Sequence, residues 1–326
     1  MSYSTPRPAS GTRGVVGPGT RGAAGWLPVT TLEATRRTEV RSGVVRWFDG
    51  AARDLPWRAP DRTAWGVLVS EVMLQQTPVV RVEPAWHAWL EQWPTPADLA
   101  EAPTADVLRA WGRLGYPRRA LRLQECARAI VERHDGVVPR TEAELLALPG
   151  VGEYTAAAVL AFAYGKRSVV VDTNVRRVLA RAVGGSALPA PSYTAAERAL
   201  ATALAPEGDA DAARWAAASM ELGALVCTAK APKCGVCPVA GLCAWRRAGS
   251  PPDAHADKRR TQAWTGTDRQ ARGRVMAELR QADEPVDRAL LASLWHDPAQ
   301  LDRAIAGLVE DGLAEQDDAG RLHLPT

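Results

Sequence analysis

Four cysteines within 17 residues constrain this 326-residue chain more than any other feature. Cys227, Cys234, Cys237 and Cys243 follow a Cys-x6-Cys-x2-Cys-x5-Cys spacing, with Pro238 after the third. In a reducing compartment, thiols gathered this closely point to a metal. Zinc sites pair two Cys-x-x-Cys knuckles across a longer loop, and here only Cys234 to Cys237 has that spacing. A tight loop around a cubane of four irons and four sulfides accommodates all four ligands, so one [4Fe-4S] cluster is expected and zinc is the alternative. Lys230, Lys233, Arg246 and Arg247 flank the ligands, where they can offset an anionic cluster or reach phosphates. The fifth cysteine, Cys126, shares an apolar helix face with Leu123 and Ile130 and reads as a core thiol.

Composition narrows the function classes. Hydrophobic residues make up 46% of the chain and the net charge is +3, which excludes disorder throughout. The longest apolar run, Ala156 to Tyr164, is far short of the roughly 20 residues a bilayer requires, so no membrane span is expected. The first 26 residues lack the apolar core of a secretion signal, and the expected location is the cytoplasm, with the nucleoid. Charge is unevenly spread. Residues 1–250 carry 30 basic and 23 acidic side chains, whereas residues 251–326 carry 10 and 14. The large part suits a polyanion; the tail suits one less.

The pattern between about 30 and 225 is helical nearly throughout, and the expected class is all-α. Residues 1–28 read as a disordered leader. Helices are expected from about Thr63 to Leu74, after a cap at Thr104, after Pro117, behind a capping box at Thr141 to Glu144, and behind Asp172. Residues 168–171 have β character without partners. A Pro-rich linker at 249–266 precedes a unit at 267–326 whose three apolar-striped helices and terminal hairpin predict a winged-helix-like fold. Its acidity favours a packing or protein-contact role.

Leu148-Pro-Gly-Val-Gly-Glu-Tyr-Thr155 joins two helices through a glycine-rich turn. Gly150 and Gly152 permit positive φ and close backbone approach, so the Gly150, Val151 and Gly152 amides and the next helix N-terminus can face a phosphate. This is the helix-hairpin-helix signature of DNA binding without sequence preference.

Hairpin, a following Asp and the cysteine loop together resemble the endonuclease III superfamily of DNA glycosylases. Ser70-Glu-Val-Met-Leu-Gln-Gln-Thr77, Leu114-Gly-Tyr116 and Val171-Asp-Thr-Asn-Val-Arg-Arg-Val178 resemble its adenine-specific, MutY-type branch. The resemblance covers about residues 30–245. It implies an iron-sulfur cluster domain (29–62 with 166–248), a six-helix domain (63–165), and removal of adenine mispaired with 8-oxoguanine or guanine in duplex DNA. The enzyme would act as a monomer.

The resemblance also implies residue roles. Glu71 would protonate the extruded adenine, with burial raising its pKa. Asp172, at a helix N-terminus, would remain ionised with a lowered pKa and stabilise the sugar cation, oriented with Asn174. Tyr154 falls where strand-cleaving relatives carry a Schiff-base lysine, implying base removal without efficient strand cleavage. Gln75, Gln76 and Tyr116 would enter the base stack near the partner base. Read without the resemblance, Ser70, Glu71 and Gln75 also fit the solvated stripe of an amphipathic helix.

The chain departs from the branch in places. The nucleotide-hydrolase-like domain common at the C-terminus is replaced by the winged-helix-like unit. Thr173 and Pro117 stand where glycine and an aromatic are frequent. Two other readings remain: a glycosylase of the same superfamily acting on thymine or another mismatched base, and a metal-bearing regulator that binds DNA through residues 265–326.

Overall fold

The computed structural model describes residues 34–259 and 264–326. The leader at 1–28 lies outside the described residues. Fifteen α-helices dominate the described part, and a single two-stranded hairpin follows them. No helix among the described residues is long and apolar enough to cross a membrane.

Helix α2 (Ala64–Leu74) is the organising element. Its Val67, Leu68, Val69, Val72 and Met73 are all buried, and so are Ser70 and Glu71. A helix apolar all round belongs in an interior, so the solvated stripe allowed by the sequence does not exist here. Thr63 caps it by accepting from the Gly66 amide at 2.9 Å. Around it pack α3 (Val79–Gln92), α4 (Pro96–Glu101), α5 (Thr104–Trp111), α6 (Arg118–His134), α7 (Glu142–Leu146) and α8 (Glu153–Phe162). Trp89, Trp93 and Trp111 meet edge to face in this core, with ring centroids 4.6 and 5.6 Å apart.

A second core unites α1 (Ala34–Ala51), α9 (Thr173–Ala182), α10 (Ala195–Leu204), α11 (Asp209–Leu225) and the cysteine loop, which ends in α12 (Ala244–Arg247). The two chain ends of the helical region therefore close on one another. A smaller alanine-rich cluster, with Ala157, Ala158, Ala161 and Ala216, lets α8 and α11 approach.

The C-terminal unit comprises α13 (Asp268–Gln281), α14 (Arg288–Ser293), α15 (Pro298–Glu310) and strands β1 (Glu315–Gln316) and β2 (Leu322–His323). The strands pair antiparallel, and Val286 bridges to Leu322 as a third strand position. This is a winged-helix-like arrangement. Its Val275, Met276 and Leu279 join the same apolar core as α5 and α6, so the unit is docked on the part built from α2 to α8.

Residues 168–171 form no strand, in keeping with a β-prone run that has no partner. Two local expectations need correction. Thr104 is the first residue of α5, and Pro103 stands at the cap position with no side chain to donate to. Gly150 takes the expected positive φ of 75°, but Gly152 is extended at φ −100° and serves as the N-cap of α8.

Candidate active site

A cavity of about 1210 Å³ opens between the two helical cores and is lined by Glu71, Tyr154, Asp172 and Asn174. The 101 positions that separate the two carboxylates in sequence are thus closed by packing. Each comes from a different element: Glu71 from the middle of α2, Tyr154 from the first turn of α8, and Asp172 from the cap of α9.

Glu71 is only 5% exposed. Burial, opposed by the Tyr154 hydrogen bond, aided by the nearby Asp172 and opposed again by the Arg58 charge, leaves its carboxyl raised to about 7. The Tyr154 hydroxyl donates to Glu71 Oε2 at 2.8 Å, which leaves Oε1 as the oxygen free to carry and deliver a proton. Tyr154 is itself raised well above the usual phenol value by burial and by the two carboxylates, so it remains a donor at neutral pH.

Asp172 is held from two sides. Its Oδ1 accepts from the Val175 amide at 2.7 Å and its Oδ2 from Asn174 Nδ2 at 2.6 Å. These bonds favour the anion, yet burial outweighs them and the pKa moves up, not down as the sequence suggests. The helix amides stabilise the charge locally, while the protein packed around Asp172 strips it of water.

Asn174 is oriented in turn by Arg177, whose Nη2 donates to Asn174 Oδ1 and to the Gly223 carbonyl, both at 2.7 Å. A Cβ on Gly223 would fall 2.6 Å from Asn174 Cβ, so only glycine lets α11 approach α9 here.

Two functional positions escape sequence reasoning. Arg58 lines the cavity, and its Nη1 is buried without a hydrogen-bond partner among the described residues. Its Nη2 pairs with Glu221 at 3.0 Å, and Arg53 pairs with the same carboxylate at 2.8 Å. Burial alone would raise Glu221, but the two guanidiniums hold it at about 2. The signal was a glutamate in the apolar second half of α11, between Met220 and Leu222, which a buried cation satisfies.

Gln75 and Gln76 line the cavity, whereas Tyr116 lines a neighbouring one that Gln76 also borders. Gln76 and Tyr116 both adopt positive φ, 56° and 48°, a conformation that non-glycine residues rarely keep without support. Arg119 supplies the support. Its Nη1 donates to the Val72, Met73 and Gln75 carbonyls at 2.8, 3.1 and 2.7 Å, while Nη2 reaches Gly115 O at 2.9 Å and Thr77 Oγ1 at 3.1 Å. Burial lowers this guanidinium to about 10, so it remains charged.

In the hairpin between α7 and α8, Gly150 and Gly152 also border the cavity. A Cβ on Gly152 would meet nothing within 4 Å, which leaves open space before the α8 amides. Val151 turns inward: its side chain is buried and its amide donates to Leu148 O at 3.2 Å.

The four loop cysteines form no disulfide. Cys234 begins a short 3-10 helix, Cys237 follows it, and Cys243 stands at the N-cap of α12. Among the described residues no group of three closes on a single ion. Four cysteines in one 17-residue loop, with the Arg177 and Arg181 guanidiniums beside Cys227, are a donor set that fits an anionic cluster with one iron per thiolate. When bound, the cluster supplies a rigid cross-link within the loop. Arg181 Nη1 lies 3.4 Å from Cys227 Sγ and 2.7 Å from Thr228 O, and Arg177 Nε lies 2.6 Å from Cys227 O, so α9 carries both Asp172 and the loop's braces. Cys126 is buried and its thiol is pushed up to about 12, consistent with an inert core residue.

Residues 69–206 match the family of HhH-GPD superfamily base excision DNA repair proteins, and residues 227–243 match the iron-sulfur binding domain of endonuclease III. An adenine DNA glycosylase of Mycolicibacterium smegmatis is 55% identical over 282 residues, covering 86% of this chain and 94% of that protein. Its counterpart in Mycobacterium tuberculosis is 52% identical, covering 87% and 93%. A solved thermostable thymine-DNA glycosylase aligns with a TM-score of 0.59 and 29% identity, covering 66% of this chain and 98% of that one. An iron-sulfur-bearing helix-hairpin-helix core, an acid and a carboxylate facing one cavity, and relatives matched over most of their length make this chain a member of the adenine DNA glycosylases.

Proposed function

We propose that the chain removes adenine paired with 8-oxoguanine or guanine from duplex DNA, as a monomer, with the extruded adenosine in the cavity between the two helical cores. The observation that carries this reading is the pairing of a Glu71 carboxyl poised near neutrality with Asp172 on one cavity wall. Adenine leaves poorly as an anion, so Glu71 Oε1 delivers a proton to a ring nitrogen as the glycosidic bond breaks. Electrons of that bond depart with the protonated base. Asp172, oriented by Asn174 and the α9 amides, faces the positive charge left on the sugar. Water then adds to the sugar carbon and loses its proton, giving an abasic site.

No lysine lines the cavity, so no amine is placed to form a Schiff base with the opened sugar. That supports base removal without efficient strand cleavage. The hairpin amides ahead of α8 provide the phosphate contact, and Gln75, Gln76 and Tyr116 occupy the stack.

Single-turnover release from duplexes with adenine opposite 8-oxoguanine, adenine opposite guanine, and thymine opposite guanine tests the reading. Adenine release from the first two and none of thymine is expected; release of thymine alone would replace the reading with the mismatch alternative. Glu71→Gln is expected to lose release by at least 10²-fold while still binding DNA.

A further inference from the structure

A second cavity, of about 830 Å³, lies where the C-terminal unit meets the part built from α2 to α8. Gln76 lines both cavities, so the two adjoin at this residue. We propose that it grips the sugar-phosphate backbone of the strand opposite the adenine, which makes the winged-helix-like unit part of the DNA-binding face. The inference rests on the proposed seating of adenine beyond Gln76.

Charge is the first argument. Seven arginines line the cavity, and Asp311 is its only carboxylate. That carboxylate is already occupied, by Arg118 at 3.1 Å and by Arg272. Arg113, Arg269 and Arg274 are exposed and have no acidic partner among the described residues. Unpaired guanidiniums converging on one cleft repel each other unless an anion joins them, and a row of phosphates supplies anions at short, regular spacing. Arg280 Nε, on the cavity wall, is buried with no hydrogen-bond partner among the described residues.

Geometry is the second. The Tyr116 ring lies between Arg119, 5.6 Å from its centroid, and Arg269, at 4.3 Å. Arg269 also lies 5.2 Å from the ring centroid of Trp264, which is 51% exposed. Helix α13 is thus stacked directly onto the strained turn at the cavity rim. The net acidity of residues 251–326 misleads because those carboxylates are elsewhere on the unit, while its arginines on α13 face the core.

The test uses the full, cluster-loaded protein in a Glu71→Gln background, which blocks turnover. Binding to duplexes with adenine opposite 8-oxoguanine and opposite guanine is followed by anisotropy from 50 to 200 mM salt. Arg269→Ala with Arg274→Ala is expected to weaken both duplexes severalfold by the same factor and to flatten the log-log salt slope by about 0.9 per lost contact. Replacement of both by lysine is expected to restore most of the slope. An unchanged slope would overturn the proposal, as would a loss confined to one opposite base, which would mean base readout. Should the double variant melt early, Arg274→Gln alone, at an exposed position, gives the same two outcomes. Adenine release by the wild-type protein, measured alongside, fails or succeeds independently of this slope.

Discussion

At the scale of single residues, the site depends on a glutamate held where its proton is available. A carboxyl at about 7, against 4.5 in the unfolded chain, binds more protons when folded. Stability from this group is therefore complete below about pH 4.5 and falls as pH rises through 7, by about 3 kcal/mol. Glu71→Gln removes that loss, so at pH 8 the variant is expected to melt above the wild type while releasing no adenine. The wild-type rate is expected to decline above about pH 7, as the acid deprotonates. Because the Tyr154 hydrogen bond lowers Glu71, Tyr154→Phe is expected to move this limb to higher pH in a single-turnover profile. The apolar neighbours of Glu71 allowed burial but fitted a solvated stripe equally well, and packing around α2 decided between them. The Glu71 hydrogen bond to a residue 83 positions away, and the raised pKa of Asp172, were not readable in the sequence, since both arise from groups that meet only on folding.

At the scale of elements, α9 and α11 set the position of the second carboxylate. Gly223 allows α11 to touch Asn174, and Gly223→Ala is expected to push α9 outward, costing about 1–3 kcal/mol in a thermal melt. Single-turnover release should fall further than that stability loss explains, because Asn174 orients Asp172. Caps were partly legible: Thr63 and Asp172 perform as their positions suggest, and Thr104 does not because Pro103 precedes it. Arg119 was invisible in the sequence among 40 basic residues, although it closes the end of α2 and fixes the turn that carries Tyr116.

At the scale of the whole molecule, two helical cores meet around one cavity, and the cysteine loop braces one of them through Arg177 and Arg181. Removal of iron, or Cys237→Ala, is expected to lower the melting midpoint and to slow release, since the braces of α9 end on that loop. Visible absorption from thiolate-to-iron charge transfer should vanish in parallel, and a colourless wild-type protein would exclude the cluster.

The sequence by itself determined the helical class and the cysteine loop that matches an iron-sulfur binding domain, because spacing within a loop and periodicity within a helix are local properties carried by neighbouring side chains. Tertiary structure alone decided how Glu71, Tyr154 and Asp172 share a cavity, how strongly burial shifts them, and where an acidic C-terminal unit presents its arginines. Those are long-range quantities: desolvation and charge proximity depend on which distant surfaces pack together, and no stretch of chain contains that information alone.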